Sequence, residues 1–222
     1  MQVRDRILGA IVANILLCSI CMGFEDEGFQ WWSYMEASTG IAKDWKATFR
    51  QDLRLGDDGG NLYYEHSDLI FTYSGLAKWL DVAGGFRLVY EKDDENVWRR
   101  ENRPLLDVTL KGSLFDCSVS SRNRMEYRDF EDKKDVWRYS NKFVVKLPIE
   151  VTPLKLKPYT ADEVFITLDD DGNIDKNRLY FGVIMPLRKG IDADIYYIWQ
   201  SSRSGNEWKD IEVLGTGLKF EF

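Results

Sequence analysis

The stretch "DCSVSSRNRMEYR" (116–128) decides the fold class, because polar residues occupy every second position along it. Successive side chains of a β-strand point to opposite faces of the sheet, so this period of two predicts a strand. One face of that strand carries a ladder of polar and charged side chains of mixed sign, formed by Asp116, Ser118, Ser120, Arg122, Arg124, Glu126 and Arg128.

The same alternation recurs through most of the chain. In "DWKATFRQDLR" (44–54) an apolar face with Trp45 and Phe49 opposes a charged face with Arg50 and Asp52. Such stretches are longer than the five or six residues usual in soluble sheets. The pattern predicts eleven strand segments: 29–38, 44–54, 66–73, 85–91, 101–111, 116–128, 137–147, 158–168, 178–185, 194–200 and 207–222.

The number of strands needs a choice, because single-chain bacterial barrels have even numbers. Either the first segment, "FQWWSYMEAS" (29–38), is a plug or a periplasmic lead, which leaves ten strands, or one segment hides two strands, which makes twelve. Of the two numbers, we favour twelve strands.

The connections between the segments fall into two alternating classes. One class is polar and acidic, as in "KDDEN" (92–96) and "DFEDKKD" (129–135), and the other is mostly shorter and less acidic, as in "SGLAK" (74–78) and "RKGID" (188–192). Strict alternation is expected when strands run up and down between two different sides, as in outer-membrane barrels.

Composition limits the other classes of protein. The chain has 222 residues and a net charge of −7, with 14% aromatic residues, and its mean hydropathy is −0.38. After residue 23 no apolar run approaches the roughly 20 residues of a spanning helix, so membrane insertion would have to use strands. The negative balance argues against nucleic acid as a partner, and no motif indicates a cofactor.

The first residues have the anatomy of a secretory signal peptide. Arg4 and Arg6 precede the apolar run "ILGAIVANILLCSICMG" (7–23), which ends in small residues. We expect cleavage near residue 23, which leaves one domain over 24–222. Cys117 is then the single remaining cysteine and forms no disulfide within the chain; its spacing from Phe115 and Val119 places it on an apolar face.

Two architectures could use these amphipathic strands. A soluble lipocalin-like periplasmic binding protein would bury the apolar face, and a membrane barrel would turn it to lipid. The mixed-sign charge ladder, the Trp and Tyr residues near strand ends and the C-terminal sequence favour the second. The predicted fold is therefore an all-β, transmembrane, antiparallel up-and-down β-barrel of 10–12 strands in the outer membrane of a Gram-negative bacterium, in contact with lipid and lipopolysaccharide.

The chain ends on "GTGLKFEF" (215–222), an amphipathic strand closed by an aromatic residue. This ending resembles the signal by which the bacterial barrel-assembly machinery recognises its clients. That signal asks for a polar residue, a glycine two positions later, and aromatic residues at the antepenultimate and last positions. Gly217, Phe220 and Phe222 match it, while Gly215 stands where the polar residue is expected.

Four further segments are similar to a family of bacterial proteins known as domain of unknown function 2490. They are "GGFRLVYEKDDENVWRRENRPLLDVTL" (84–110), "RNRMEYR" (122–128), "KNRLYFGVIMPL" (176–187) and "DIYYIWQ" (194–200). The resemblance runs from about residue 31 to the end, and it implies an outer-membrane barrel with no established activity, substrate or cofactor. The positions that carry it are Glu101, Arg103, Arg122, Arg124, Glu126, Arg128, Glu163, Asn177 and Arg178.

The charged face defines the main candidate site. By parity it points into the lumen, where the charges would either pair with one another and fill the interior or line a narrow pore that attracts anions. The sequence leaves both a structural barrel and a small pore open. The predicted network comprises Arg50, Arg87, Glu101, Arg103, Arg122, Arg124, Glu126, Arg128, Glu163 and Arg178.

An enzyme would need a nucleophile and a base on the same surface. The single histidine, His66, shares its strand face with Asp68, and a serine on another strand, such as Ser118 or Ser120, could serve as the nucleophile of a phospholipase or acyltransferase. We regard this lipid-modifying activity as the alternative and expect no catalysis, because a lone histidine is more often structural.

The segment "LDDDGNIDKN" (168–177) has the oxygen-rich look of a calcium loop. Its candidate ligands are Asp169, Asp171, Asn173 and Asp175, which could bridge a divalent cation to lipopolysaccharide phosphates. The loop lacks the spaced glutamate that closes an EF-hand, so we expect a solvated acidic loop without a resident metal.

Overall fold

Eleven strands close into one barrel in a computed structural model that describes residues 29–56, 60–168, 172–205 and 207–222. The predicted signal peptide over 1–23 lies outside these residues. Within the described ranges no helix is long and apolar enough to cross a membrane. The strands are β1 Phe29–Ala42, β2 Trp45–Gly56, β3 Asn61–Ala77, β4 Leu80–Lys92, β5 Trp98–Leu114, β6 Cys117–Phe130, β7 Val136–Lys146, β8 Lys157–Thr167, β9 Ile174–Arg188, β10 Ile191–Ser204 and β11 Glu207–Glu221.

Each strand pairs antiparallel with its neighbour in sequence, and a parallel pair between β1 and β11 closes the barrel. The barrel fold is confirmed, but the preference for twelve strands was wrong, as was the expectation of pairing that is antiparallel throughout. Residues 29–38 are neither a plug nor a lead, since they belong to β1, and no segment hides two strands. With an odd number of strands the first and last run in the same direction, so the closing pair has to be parallel.

The two ends of the barrel differ, and we call them the loop end and the turn end. The loop end carries the acidic connections and the start of β1; the turn end carries connections such as 43–44, 78–79 and 189–190 and the end of β11. Phe115 and Asp116 have φ values of 49° and 67° and form a two-residue turn, so β6 begins at Cys117 and not at 116.

One loop-end connection is ordered by Asp93. The backbone N–H groups of Val97 and Glu95 donate to Asp93 Oδ1, both at 2.9 Å, and Arg99 Nε donates to Oδ2 at 2.8 Å. The bond from the Val97 backbone N–H, joined by the one from Arg99, holds the pKa of Asp93 below its usual range.

The charged face of the strands lies inside the barrel and the apolar face lies outside. Asp52, Asp68 and Glu126 are each at most 3% exposed, whereas Leu106 is 65% exposed. Parity forces this outcome for a whole strand at once, because one face takes every second residue. The structure therefore decides the question that alternation alone leaves open.

One side of the interior is aromatic rather than charged. Its buried cluster comes from β1 and β8 to β11 and consists of Trp32, Tyr34, Ala161, Tyr180, Tyr196, Ile198 and Val213. Glycines make room for the rings. A Cβ atom at Gly217 would lie 2.2 Å from the Tyr34 ring, and one at Gly215 would lie 2.0 Å from the Tyr196 ring. Gly215 thus departs from the assembly signal because a side chain there would collide with Tyr196.

We predict that Gly215→Ala lowers the free energy of unfolding by about 1–3 kcal/mol, because the added methyl group overpacks a closed interior. The midpoint of urea unfolding, followed by tryptophan fluorescence, measures this change. Gly40→Ala is the matched control, since a Cβ atom at Gly40 has no neighbour within 4 Å. Equal midpoints for the two variants would contradict the packing role of Gly215.

Candidate functional site

The lumen holds a cavity of about 510 Å³ that is lined mainly by charged and aromatic side chains. Among the described residues, thirteen basic side chains face nine carboxylates. The basic side chains are Arg50, Arg54, Arg87, Arg103, Arg122, Arg124, Arg128, Arg138, Lys142, Lys146, Lys176, Arg178 and Lys219. The carboxylates are Glu36, Asp52, Asp68, Glu91, Glu101, Asp107, Glu126, Glu163 and Asp194.

Glu126 on β6 is the most buried of these carboxylates, with 1% of its surface exposed. Arg138 donates to its Oε2 from Nη2 at 2.6 Å and from Nε at 2.9 Å. Arg124 Nη1 and Arg87 Nη1 lie 3.8 and 3.9 Å from Oε1. One carboxylate therefore lies close to three guanidinium groups on three strands, and its removal would take negative charge away from all three.

Bidentate arginine–carboxylate pairs surround Glu126. Arg124 donates to both oxygens of Asp107 at 2.7 Å, and Arg87 donates to those of Asp68 at 2.6 and 2.7 Å. Bidentate guanidinium–carboxylate pairs combine charge with fixed geometry. They hold neighbouring strands in register from the inside.

Glu101 is shared in the same way between two arginines. Arg103 donates to it from Nε and Nη2, and Arg128 donates to it from Nε at 2.7 Å and Nη2 at 3.0 Å. Glu101 and Arg103 are 3% and 4% exposed. One carboxylate thereby joins β5 and β6 inside the loop-end half of the lumen.

Glu163 on β8 forms a second hub nearer the turn end. Arg122 Nη2 donates to its Oε1 at 2.8 Å, and the Tyr180 hydroxyl donates to Oε2 at 2.7 Å. Arg178 Nη1 and Lys142 Nζ lie 3.8 and 4.0 Å from Oε2. Three cations from three strands thus share one carboxylate.

Aromatic rings take part in holding the cations. The Arg54 guanidinium lies 3.8 Å from the Trp32 ring and 4.0 Å from the Tyr64 ring, and Lys142 Nζ lies 3.5 Å from the Tyr180 ring. A cation over an aromatic face is stabilised by the ring quadrupole without a counter-charge. The aromatic rings of the lumen thereby help to stabilise basic side chains, which outnumber the carboxylates there.

The family described as "Protein of unknown function (DUF2490)" matches residues 29–210 of this chain. The chain belongs to this family. The match covers all eleven strands except the end of β11, and it confirms the resemblance seen in the sequence. No curated protein matches the chain.

The structure places the ten predicted network residues of this DUF2490 protein on the inner face of the barrel. Arg122 meets Glu163, Arg87 approaches Glu126, and Arg128 reaches Glu101 across the pair β5–β6. The other four are Arg50, Arg103, Arg124 and Arg178, each with a carboxylate within 4 Å. Asn177 points outward and donates to Asp162 at 2.6 Å.

His66 is buried between two carboxylates without a hydrogen bond. Its Nδ1 lies 3.8 Å from Asp52 Oδ1 and its Nε2 lies 3.7 Å from Asp68 Oδ2, and neither nitrogen has a hydrogen-bond partner. Asp68 is engaged by Arg87. A nucleophile and its base need hydrogen-bond reach, and among the described residues no serine hydroxyl lies within hydrogen-bond distance of His66.

The remaining candidates belong to the acidic segment 168–177 and to the chain end. Asp169 and Asp171 fall outside the described residues, Asn173 is exposed, and Asp175 accepts a hydrogen bond from the Thr167 hydroxyl at 2.5 Å. Over the described ranges no three His, Cys, Asp or Glu side chains come together as a metal site. At the chain end, Gly217 faces Tyr34, while Phe220 is half-buried and Phe222 is exposed.

Sequence reasoning missed part of the DUF2490 lumen. Lys142, Lys146, Lys176 and Lys219 line the cavity, although lysine on an alternating strand is usually assigned to solvent. Parity would have placed Lys176 with the network, since it shares a strand face with Arg178, and Lys142 and Lys146 share one with Arg138, which also lines the cavity. The hydroxyl groups of the inner tyrosines were missed because tyrosine was counted with the apolar or interfacial residues.

Glu126→Gln should lower the free energy of unfolding by about 3–5 kcal/mol, because it keeps the shape of the side chain but leaves the buried Arg138 guanidinium without its counter-charge. The measurement is the urea midpoint. The control is Asp81→Asn, which removes a carboxylate paired with Lys111 at the surface and should cost about 0–1 kcal/mol. Similar losses in both variants would show that the hub is dispensable.

Proposed function

We propose that this protein is an integral outer-membrane β-barrel of a Gram-negative bacterium whose lumen is closed by its own paired charges. The observation that carries the proposal is the inverted distribution of polarity, with charges inside and large apolar side chains outside. A soluble binding barrel needs the opposite arrangement. The strands have 11 to 17 residues, which is enough for the roughly 9–11 residues that cross a bilayer at a tilt.

The outer surface supports contact with lipid. Its middle band is built from large apolar side chains that would expose an unusual amount of apolar area to water. The most exposed members at mid-strand include Met35, Phe49, Leu69, Phe86, Leu106, Phe143, Phe181 and Ile195, each between 44% and 65% exposed.

Tryptophan rings border this band at both ends. Trp31, Trp98, Trp137 and Trp208 lie on the outer face near the loop end, and each is between 40% and 51% exposed. Trp45 and Trp79 lie near the turn end, at 43% and 58%. Two aromatic girdles about an apolar band are typical of barrels in the outer membrane, where indole rings sit at the lipid headgroups.

Polar side chains on the outer face are paired with one another. Asn141 Nδ2 donates to Ser121 Oγ at 2.9 Å and to Asn123 Oδ1 at 3.1 Å, and the Tyr139 hydroxyl donates to Asn123 Oδ1 at 2.7 Å. In hydrocarbon an unpaired polar group is costly, and this cluster satisfies its own members.

The two barrel ends fit the usual orientation of such proteins. Short turns face the periplasm and longer loops face outward. Four of the five turn-end connections have two residues and four of the five loop-end connections have four to six, although the connection 147–156 at the turn end has ten. The acidic loop end would therefore face the medium. β11 ends at the turn end, where Gly217, Phe220 and Phe222 would be presented to the assembly machinery. The backbone N–H of Phe222 donates to Ser38 O at 3.0 Å, which ties the last residue to β1.

Leu106→Arg tests contact with lipid. Near the middle of β5, an arginine on a lipid face should lower the free energy of unfolding by about 2–4 kcal/mol and reduce the amount of folded barrel in the outer-membrane fraction. In a water-soluble barrel the same change would be neutral, because Leu106 would already face water.

Leu76→Arg is the matched control. Leu76 is 62% exposed, close to the 65% of Leu106, but it lies at the end of β3 beside the turn 78–79. Charge near the interface costs about 0–1 kcal/mol, so this variant should assemble normally. If both variants accumulate as soluble, folded protein, the membrane proposal fails.

A closed lumen predicts that the purified protein inserted in a planar bilayer shows no discrete conductance steps. The double variant Glu126→Ser/Arg138→Ser removes one buried charge of each sign from the network that closes the lumen. Discrete conductance steps should then become measurable. Insertion is checked for both proteins by resistance to extraction with carbonate. Discrete steps with anion preference in the unmodified protein would instead favour the pore.

A further inference from the structure

The turn-end half of the cavity carries more positive charge than its carboxylates balance. Arg122, Lys142 and Arg178 share the single carboxylate of Glu163. Lys146 also lines this half and has no carboxylate within 4 Å among the described residues. We call the basic side chains of this half the basic vestibule: Arg50, Arg122, Lys142, Lys146 and Lys219.

Hydrogen-bond donors in the basic vestibule are left without acceptors. Arg122 uses Nη2 for Glu163, but its Nε is buried and has no hydrogen-bond partner. Lys142 Nζ stands 4.0 Å from Glu163, beyond hydrogen-bond reach, although it lies over the Tyr180 ring. A buried donor without an acceptor costs free energy, which a bound anion would recover.

The basic vestibule is accessible, in contrast to the buried charge network around Glu126. The side chains of Arg122, Lys142 and Lys219 are 31%, 24% and 32% exposed, whereas the Glu126 side chain is 2% exposed. The basic side chains lie on the turn-end halves of β2, β6, β7 and β11. A solute entering from the turn end would meet cations on several sides of the wall.

We propose that the basic vestibule binds a compact dianion of the phosphate-monoester class. Within the basic vestibule, Arg50 is paired with Asp52 and Glu36, and Lys219 is paired with Asp194. Among the described residues Arg122, Lys142 and Lys146 have only Glu163 within 4 Å, so their uncompensated charge amounts to about two units, and a phosphate monoester carries about −1.5 to −2 at neutral pH. A guanidinium group matches phosphate oxygens in geometry, and lysine ammonium groups add point charges. The phosphate belongs either to a soluble metabolite or to a lipid headgroup, since both present the same group.

This inference is independent of membrane insertion, because the cavity and its charges are properties of the barrel interior. The test is isothermal titration calorimetry at low chloride on protein purified in a zwitterionic detergent from cells that express the full chain. The probes are glycerol 1-phosphate and lysophosphatidic acid. We expect one-site binding that weakens with added salt, because the attraction is electrostatic.

Two variants locate the site. Arg122→Gln should weaken binding about tenfold or more and Lys146→Gln severalfold, through the loss of a charge-assisted bond and of a nearby charge respectively. Lys146→Gln removes no ion pair, so it should fold like the unmodified protein. Lys189→Gln, in the exposed turn at the same end, removes the same charge outside the cavity and should change the affinity less than about twofold.

Similar affinities for the two probes would identify the phosphate group as the part of the ligand that is recognised. Much tighter binding of lysophosphatidic acid would identify a lipid as the source of that phosphate. The proposal is overturned if the folded protein binds neither probe, or if Lys146→Gln and Arg122→Gln both bind as tightly as Lys189→Gln.

Discussion

Several carboxylates inside the barrel are each shared by two or three guanidinium or ammonium groups, and the rest of the structure depends on this sharing. Glu126, Glu101 and Glu163 each receive cations from more than one position on the wall. Buried charge is tolerated only when it is paired and hydrogen-bonded. Since Arg122 of β6 and Glu163 of β8 lie 41 residues apart, this pair exists only when β6, β7 and β8 have assembled side by side.

The closing seam relies on a different interaction. Tyr34 of β1 lies over Gly217 of β11 and donates its hydroxyl to Asp194 of β10 at 2.5 Å. Because Gly217 has no side chain, the Tyr34 ring extends across β11 to reach β10. Tyr159 of β8 and Lys219 of β11 also donate to Asp194, at 3.1 and 3.0 Å. The parallel pair β1–β11 is thus stabilised from inside by a carboxylate of the next strand, β10.

The interior and the exterior of the protein carry opposite balances of charge. The chain has a net charge of −7, yet the described lumen has four more basic than acidic side chains. This excess is divided between the two halves of the lumen: Arg103 and Arg128 share Glu101 at the loop end, and Arg122 and Lys142 share Glu163 nearer the turn end. The inner wall is therefore basic in both halves although the chain as a whole is acidic.

The sequence by itself determined that this protein is a barrel, that its connections alternate between two kinds and which residues share a face, because a period of two is a local property of the strand. Arg124 and Glu126 could be assigned to one face from 116–128 alone. Only the tertiary structure decided that this face is the inner one and that eleven strands close through a parallel pair. It also decided that Glu163 forms ion pairs with Arg122, Lys142 and Arg178. Those outcomes depend on curvature, strand number and the stagger between strands, which bring distant residues together and which no short stretch of sequence encodes.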